Sequence, residues 1–490
     1  MITVQLNKDD FAYDIHSLVK AFYPSENVSV YTIPKTITEP VLFRIYVDYA
    51  PGQVTLAMAE PVPAAQQEAA ASRHTHSAMG HTRQAAENRL REMVFPVNDA
   101  DRKEKKNLLK QHIYQMLSDY SGKTLPWGTL TGVRPVKLAL SMLEQGESPQ
   151  AVADFMKRSY GASWEKIRLS LDIAQRETEL LKGLDVERGY SLYIGIPFCP
   201  STCLYCSFTS FPVSMWESRI DTYLDALERE IAYTAERFAD RPLNSIYIGG
   251  GTPTTLSPCQ LNRLLTGLER SFNLTRLLEF TVEAGRPDSI TEEKLQVLRA
   301  HGISRISINP QTMKQETLDL IGRRHTVSQT VESFHLARSL GFTNINMDLI
   351  MGLPQETLAD VRHTLDQIKE LLPDSVTVHS LAVKRAARLQ MFKEDYADLK
   401  MINTQEHLDA AAQACAQMGM VPYYLYRQKN MAGNFENVGY ALDGKAGIYN
   451  ILIMEEKQTI VACGAGSVSK RVYPDGRIER SENVKDVAQY

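Results

Sequence analysis

The feature that most constrains this chain is a succession, over residues 190–399, of six short apolar runs, each followed by a helical pattern. The runs are LYIGIP (192–197), SIYIGG (245–250), LEFTVEA (278–284), RISINP (305–310), INMDLIMG (345–352) and SVTVHSLA (375–382). Each is short and rich in Val and Ile, which fits strands buried on both faces of a parallel sheet. Parallel neighbours need crossover helices, and the intervening segments carry helix signals. Ser257 is placed to cap a helix whose first turn holds Pro258, and Leu261, Leu264, Leu265, Leu268 and Phe272 then repeat at helical spacing. Thr326 with Gln329 makes a capping box, and Gly341 is a helix stop. Six such units in series predict an α/β fold, a partial (βα)6 parallel barrel, with ligands at the C-terminal ends of its strands.

The 490 residues exceed one ordinary domain. Residues 1–183 open with strand-like runs at 42–49 and 53–58 around a Pro51-Gly52 turn. A stretch rich in Ala, Gln and His (61–84) reads as a connection or a weak helix, and helical patterns follow at 105–120 and Pro149–Tyr160. Between those two lies LPWGTLTGVRPVK, a shaped loop, and Lys123, Arg134 and Lys137 around it are candidate anion contacts. The expected order is an N-terminal α+β domain (1–183), the part-barrel (184–400) and a C-terminal α+β extension (401–490). In the extension 407–418 reads as a helix and 448–454 as a strand.

Apolar residues make up 43%, charged residues 23%, and the net charge is -4. This is a globular mix able to bury a core without disulfides, and nucleic acid is not an expected partner. No apolar run approaches the ~18 residues of a membrane span. The opening MITVQLNKDD lacks a secretory pattern, so a cytoplasmic location is expected.

Of six cysteines, Cys199, Cys203 and Cys206 fall within eight residues, as C-x3-C-x2-C directly after the first strand run. Structural zinc wants four ligands, and a redox disulfide would leave one cysteine over. An iron–sulfur cubane takes one thiolate per iron, so three cysteines leave one iron open to a small molecule. Cys259, Cys415 and Cys463 read as ordinary buried thiols. The second run ends in GGGTPT, whose glycines let backbone approach a ligand closely. Glu283 and Gln311 end the next two runs, and Asp348 sits inside the fifth, where a carboxylate is costly unless partnered.

This pattern resembles the radical S-adenosylmethionine superfamily. The resemblance implies a 4Fe-4S cluster on Cys199, Cys203 and Cys206, and S-adenosylmethionine, whose reductive cleavage releases a hydrogen-abstracting radical. It implies cofactor contacts from Tyr193, from Gly249, Gly250, Gly251 and Thr252 near the methionine amino group, and from Glu283 and Gln311. Arg324 is the implied partner of the methionine carboxylate, with Arg323 an equal reading. Asp348 would take the ribose hydroxyls, and Ile350 lies where backbone meets adenine. The Gly464, Ala465, Gly466 turn resembles a family loop near the site.

Together YIGIPFCPSTCLYCSF, GGGTPT, the Gln311 run and DLIMGLP resemble the oxygen-independent coproporphyrinogen III oxidase group. LPWGTLTGVRPVK, VEAGRPDSI and YLYRQKNMAGNFENVGY resemble its coproporphyrinogen dehydrogenase (HemZ-type) branch. The implied reaction turns two propionates of coproporphyrinogen III into vinyls in haem biosynthesis, with an electron donor such as flavodoxin or ferredoxin. Candidate contacts for the substrate carboxylates are His379, Lys384 and Arg385 after the sixth run, and Tyr424, Tyr426, Arg427 and Lys429 beyond. Two positions depart from the pattern: Gly195 stands where the well-understood oxidases have a histidine, and Phe208 where they have a fourth cysteine. These departures bear on the substrate rather than on the fold or cofactors. The alternatives are a haem-binding or haem-transfer protein, with His74, His76, His81 and His379 as candidate iron ligands, or a radical enzyme on another tetrapyrrole or another substrate.

Overall fold

A computed structural model of the protein describes residues 1–490 apart from 34–36, 38, 62–86, 209, 393, 397 and 429–434. His74, His76, His81 and Lys429, named above, lie outside the described residues, as does nearly all of the 61–84 stretch. By their contacts the residues fall into two compact units. One comprises Met1–Val133, Glu147–Arg168 and Gln428–Phe435, the other Arg134–Gly146, Leu169–Arg427 and Glu436–Tyr490.

In the first unit, β1 (Ile2–Leu6), β2 (Val28–Tyr31), β3 (Arg44–Ala50), β4 (Gln53–Pro61) and β5 (Glu87–Pro96) form one sheet in the order β2-β1-β3-β4-β5. β1 runs parallel to β2 and β3, and β3, β4 and β5 form an antiparallel meander. The β3–β4 hairpin closes through Pro51-Gly52, where Gly52 takes φ +73°, a conformation that a Cβ disfavours. Helix Ala12–Phe22 buries Ile15, Leu18, Val19 and Phe22, while helix Arg102–Ser121, capped by Asp101, buries Leu109, Ile113, Met116 and Leu117. These side chains share one core with Val4, Ile45, Val47 and Leu56.

The second unit carries the six expected strands: β6 (Tyr190–Ile196), then β9 (Leu243–Gly250), β10 (Glu279–Glu283), β11 (Arg305–Ser307), β12 (Ile345–Met351) and β13 (Ser375–Ser380). Between β6 and β9 a two-residue ribbon, β7 (Phe198–Cys199) with β8 (Phe211–Pro212), holds the cysteine segment. The six pair side by side in parallel, in chain order. They are almost wholly buried because helices cover them, as their continuous apolar sequences require. Helix Pro258–Ser271 starts on the Ser257–Gln260 capping box and buries Leu261, Leu264, Leu265 and Leu268, each side chain worth about 1.5–3 kcal/mol. Helix Val327–Ser339 starts on the Thr326–Gln329 box.

The C-terminal segment extends this sheet at both edges. β14 (Val421–Tyr426) and β15 (Asn437–Ala441) add antiparallel strands beyond β13. β16 (Thr459–Cys463) pairs in parallel with β6, followed by the antiparallel β17 (Val468–Val472) and β18 (Ile478–Glu482).

Three sequence expectations are corrected. Residues 448–454 form a helix, Ile448–Glu455, not a strand. The run is apolar except at Asn450, so periodicity cannot separate the two. Burial of Tyr449, Ile451 and Leu452 decides it, with Glu279 Oε2 accepting from the Ile448 N–H at 2.5 Å at the helix start. The end of LPWGTLTGVRPVK is helical from Pro135, whose fixed φ suits a first helical residue. Its cations are already engaged: Arg134 pairs with Glu456, Lys137 Nζ lies 3.7 Å from the same carboxylate, and Lys123 Nζ lies 5.6 Å from the Tyr23 ring centre. Cys259 is exposed on the first turn of its helix, whereas Cys415 and Cys463 are buried.

Candidate active site at the strand ends

The cysteine segment leaves the C-terminal end of β6 and is clasped from three sides. Gly251 N–H donates to Ile196 O at 2.8 Å and Thr252 N–H to Phe198 O at 2.7 Å, tying it to the loop after β9. Leu204 N–H donates to Ile321 O at 2.9 Å and Ser201 Oγ to Gly322 O at 2.8 Å. Leu389 N–H, beyond β13, donates to Leu204 O at 3.0 Å. These bonds preset the path of the three thiols. Cys203 is buried, and Cys199 and Cys206 are half-buried. Burial pushes the Cys199 thiol up and the Cys206 thiol up to about 11, so iron would displace their protons on binding. Thr252 Oγ1 lies 3.6 Å from Cys199 Sγ, and Arg286 Nη1 lies 3.6 Å from Cys203 Sγ. Among the described residues no three His, Cys, Asp or Glu side chains converge as a single metal ion requires. A cubane spreads its thiolates over separate irons, so its ligands stay apart.

The glycines after β9 line the same rim. A Cβ on Gly251 would lie 2.5 Å from Phe198 O, and one on Gly249 would lie 2.9 Å from Glu283 Cδ. Gly250 takes φ +106°, with Tyr193 OH 3.1 Å from where its Cβ would be. Close packing therefore leaves no room for side chains here, and Glu283 stands beside the backbone. Glu283 accepts a short hydrogen bond from Tyr247 OH. Burial pushes its carboxyl up to about 7, although the Tyr247 hydrogen bond opposes the rise.

Gln311 is held in the left-handed region at φ +68°, clamped by Gln311 N–H to Asp348 O and Ile350 N–H to Gln311 O, both at 3.0 Å. A non-glycine residue rarely adopts this φ without a reason in the surrounding structure. The clamp leaves Gln311 Oε1 buried with no partner among the described residues, and Ser307 Oγ is in the same condition. Buried polar atoms are normally satisfied, so these two are open positions for a ligand's donors.

Asp348 accepts from Asn346 Nδ2 at 2.7 Å and lies 3.8 Å from His379 Nε2. Burial pushes this carboxyl up, but His379, Asn346 and Thr377 together outweigh it and hold the group below its ordinary value. His379 Nδ1 lies 3.2 Å from Tyr426 OH, so Asp348, His379 and Tyr426 form one polar chain across β12, β13 and β14. Ile350 packs with Leu204, Ile321, Leu353 and Leu389.

Of the two adjacent arginines, Arg323 turns inward and Arg324 is exposed. Gly322 takes φ +78° and reverses the chain just before them. Arg323 Nη1 donates to Asn309 O and to Gly285 O, and its charge lies beside Tyr205 and Cys203. Arg324, expected as the carboxylate partner, is exposed, and Arg323 is the one of the pair buried among the other site residues. Lys384 and Arg385 are exposed after β13, with Lys384 Nζ 5.7 Å from the ring centre of the exposed Phe208. Tyr424 and Arg427 are buried, and burial pulls Arg427 down to about 10. Gly464, at φ +109°, brings its turn against the end of β6, where a Cβ would meet Gly195 O at 2.5 Å. The sequence reading passed over Tyr247, Arg286, Ser307 and Asn309. Their one available signal was proximity to a strand end.

Residues 193–368 match the Radical SAM superfamily. The chain is 43% identical over 393 residues to the oxygen-independent coproporphyrinogen-III oxidase-like protein HemZ of Bacillus subtilis (strain 168), covering 79% of this chain and 78% of that one. It is 40% identical over 195 residues to the heme chaperone HemW of the same organism, covering 40% of this chain and 51% of that one. It is 34% identical over 237 residues to the oxygen-independent coproporphyrinogen III oxidase of Salmonella typhimurium (strain LT2), covering 48% and 51%. The cofactors of the superfamily are a 4Fe-4S cluster and S-adenosylmethionine. Three thiols, a bare glycine backbone and the orphaned Gln311 Oε1 are a donor set that fits both. The chain belongs to the radical S-adenosylmethionine superfamily, in its oxygen-independent coproporphyrinogen III oxidase-like group and the HemZ-type branch.

Proposed function

We propose that this protein carries out the oxygen-independent oxidative decarboxylation of coproporphyrinogen III to protoporphyrinogen IX. The observation that carries the reading is the gathering, at one end of one sheet, of the cysteine segment, the orphaned Gln311 Oε1 and the chain Asp348, His379, Tyr426. The kinship to proteins named as coproporphyrinogen oxidases or oxidase-like supports it. When bound, the cluster and S-adenosylmethionine supply a hydrogen-abstracting radical.

The chain's own residues bind and orient. Cys199, Cys203 and Cys206 would hold the cluster. Bare backbone at Gly249, Gly250 and Gly251, with Glu283, would receive the methionine amino group. Arg323 would face its carboxylate, Gln311 Oε1 would accept from the ligand, and the ionised Asp348 would accept from the ribose hydroxyls. Ile350 and its apolar neighbours would exclude water from the adenine side. Lys384 and Arg385 offer cations to substrate carboxylates, and Tyr426, joined to His379, offers a hydroxyl beside them. Each propionate would lose a β-hydrogen atom to the radical, then carbon dioxide and one electron, which a one-electron acceptor takes up, leaving a vinyl group.

A second reading, haem binding or transfer, is favoured by one observation. Phe208, where the oxidases carry a fourth cysteine, presents an exposed ring at the end of the cluster segment. A relative named as a heme chaperone also shares 40% identity over 195 residues. The test is an anaerobic reaction of reconstituted protein with S-adenosylmethionine, reductant and coproporphyrinogen III, read by mass spectrometry. Stepwise loss of two carboxyl groups alongside 5′-deoxyadenosine is the expected result. Formation of 5′-deoxyadenosine with the porphyrinogen intact overturns the oxidase reading. Stoichiometric haem uptake in place of turnover establishes the second one.

A further inference from the structure

Arg286 stands in the turn after β10 and is 3% exposed. Its guanidinium faces two ways. Nε and Nη2 donate to Asp288 Oδ1 and Oδ2 at 3.0 and 2.8 Å, a two-pronged grip. Nη2 also donates to Ser201 Oγ at 3.1 Å, and Nη1 donates to Ser201 O at 3.3 Å and to Cys203 Sγ at 3.6 Å. Burying a guanidinium costs several kcal/mol unless it is paired, and Asp288 supplies the pairing. Asp288 lies only two residues along the same turn, so the pair does not tie distant elements together. What the guanidinium reaches across the fold is the cysteine segment, 83 residues away in sequence.

We infer that Arg286 makes the iron–sulfur cluster easier to reduce, by donating to the sulfur of Cys203 and placing a positive charge beside it. Asp288 sets how much of that charge the cluster feels. The inference rests on the reading that Cys203 is a cluster ligand. Reduction adds one negative charge to a cluster, and hydrogen bonds to its sulfurs and nearby charge set its potential. A donor already aimed at Sγ, in a setting dry enough to hide the guanidinium, acts without reorganising. Arg323, also buried beside Cys203, adds a second positive charge from the opposite loop. Arg286 is thus a positioning residue for electron entry and not a ligand of either cofactor.

The experiment is a redox titration of the reconstituted full chain, followed by electron paramagnetic resonance of the reduced cluster, with iron and sulfide counted in each variant. Arg286→Gln removes the charge and is expected to bind a full cluster whose reduction equilibrium falls about tenfold, roughly 59 mV for one electron. Asp288→Asn frees the charge and is expected to move the midpoint the other way. A full cluster in Arg286→Gln with the wild-type midpoint overturns the inference, as does a shift of Asp288→Asn toward more negative potential. Should Arg286→Gln fail to load, Arg286→Lys decides together with Asp288→Asn. The retained charge must keep the reduction equilibrium within about threefold of wild type, and a larger fall overturns the inference. Wild-type protein that binds no cluster sinks the cysteine assignment itself, a distinct outcome.

Discussion

Tyr247 on β9 donates its hydroxyl hydrogen to Glu283 at the end of the adjacent strand β10, so one strand orients the carboxylate of the next. Tyr247 is itself fixed by stacking on Tyr449, with ring centres 4.5 Å apart at 21°. Removing the hydroxyl in Tyr247→Phe leaves a half-buried carboxylate one donor short. S-adenosylmethionine affinity should weaken by about 1–3 kcal/mol, roughly five- to 150-fold in Kd. Because the Tyr247 bond holds the Glu283 carboxyl down toward about 7, its loss should also raise the pH at which affinity reaches half its maximum. Calorimetric titration across pH measures both, and an unchanged pH midpoint would refute the link.

Cys203→Ser should abolish the cluster absorbance and reductive cleavage of S-adenosylmethionine. Cys259→Ser, at an exposed thiol outside the C-x3-C-x2-C segment, should leave both at wild-type level. Visible absorbance and 5′-deoxyadenosine release are the measurements. Cleavage retained by Cys203→Ser would end the assignment.

The two adjacent arginines should separate sharply. Arg323→Gln removes buried charge-assisted bonds to Asn309 O and Gly285 O and should cost about 2 kcal/mol or more in S-adenosylmethionine binding. Arg324→Gln alters an exposed side chain and should stay within about 0.5 kcal/mol of wild type. Equilibrium dialysis of the reconstituted variants, with thermal melts as a control for folding, checks the contrast. Equal losses would show that the inward arginine has no privileged contact with the cofactor.

Glu177 and Glu455 are fully buried, and their four carboxylate oxygens lack hydrogen-bond partners among the described residues. Burial, then mutual repulsion for Glu177, pushes both carboxyls up. A raised carboxyl binds its proton more tightly folded than unfolded. Its contribution is therefore fully present below the unfolded value of 4.5 and is lost as pH rises through the folded value. Glu177→Gln keeps the shape and removes the titration. Its melting temperature should fall less than wild type's between about pH 5 and pH 9. Circular dichroism melts over that range test it, and parallel curves for the two proteins would count against a raised Glu177 carboxyl.

What the sequence determined by itself was local and periodic. Six apolar runs separated by capped helices specify a parallel part-barrel because strand burial on both faces and helix caps are written in neighbouring residues. Three cysteines within eight residues specify their chemistry for the same reason. Tertiary structure alone decided which of Arg323 and Arg324 faces the site, since the left-handed turn at Gly322 sets their directions. It decided that residues 448–455 are helical, because a largely apolar run takes whichever form its surroundings bury, with Glu279 waiting at its first N–H. It also brought Arg286 to Cys203 and Tyr247 to Glu283, pairs separated by 83 and 36 residues. Contacts between strand ends depend on how far each strand and loop carries its side chain. That geometry belongs to the packed sheet and leaves no trace in local pattern.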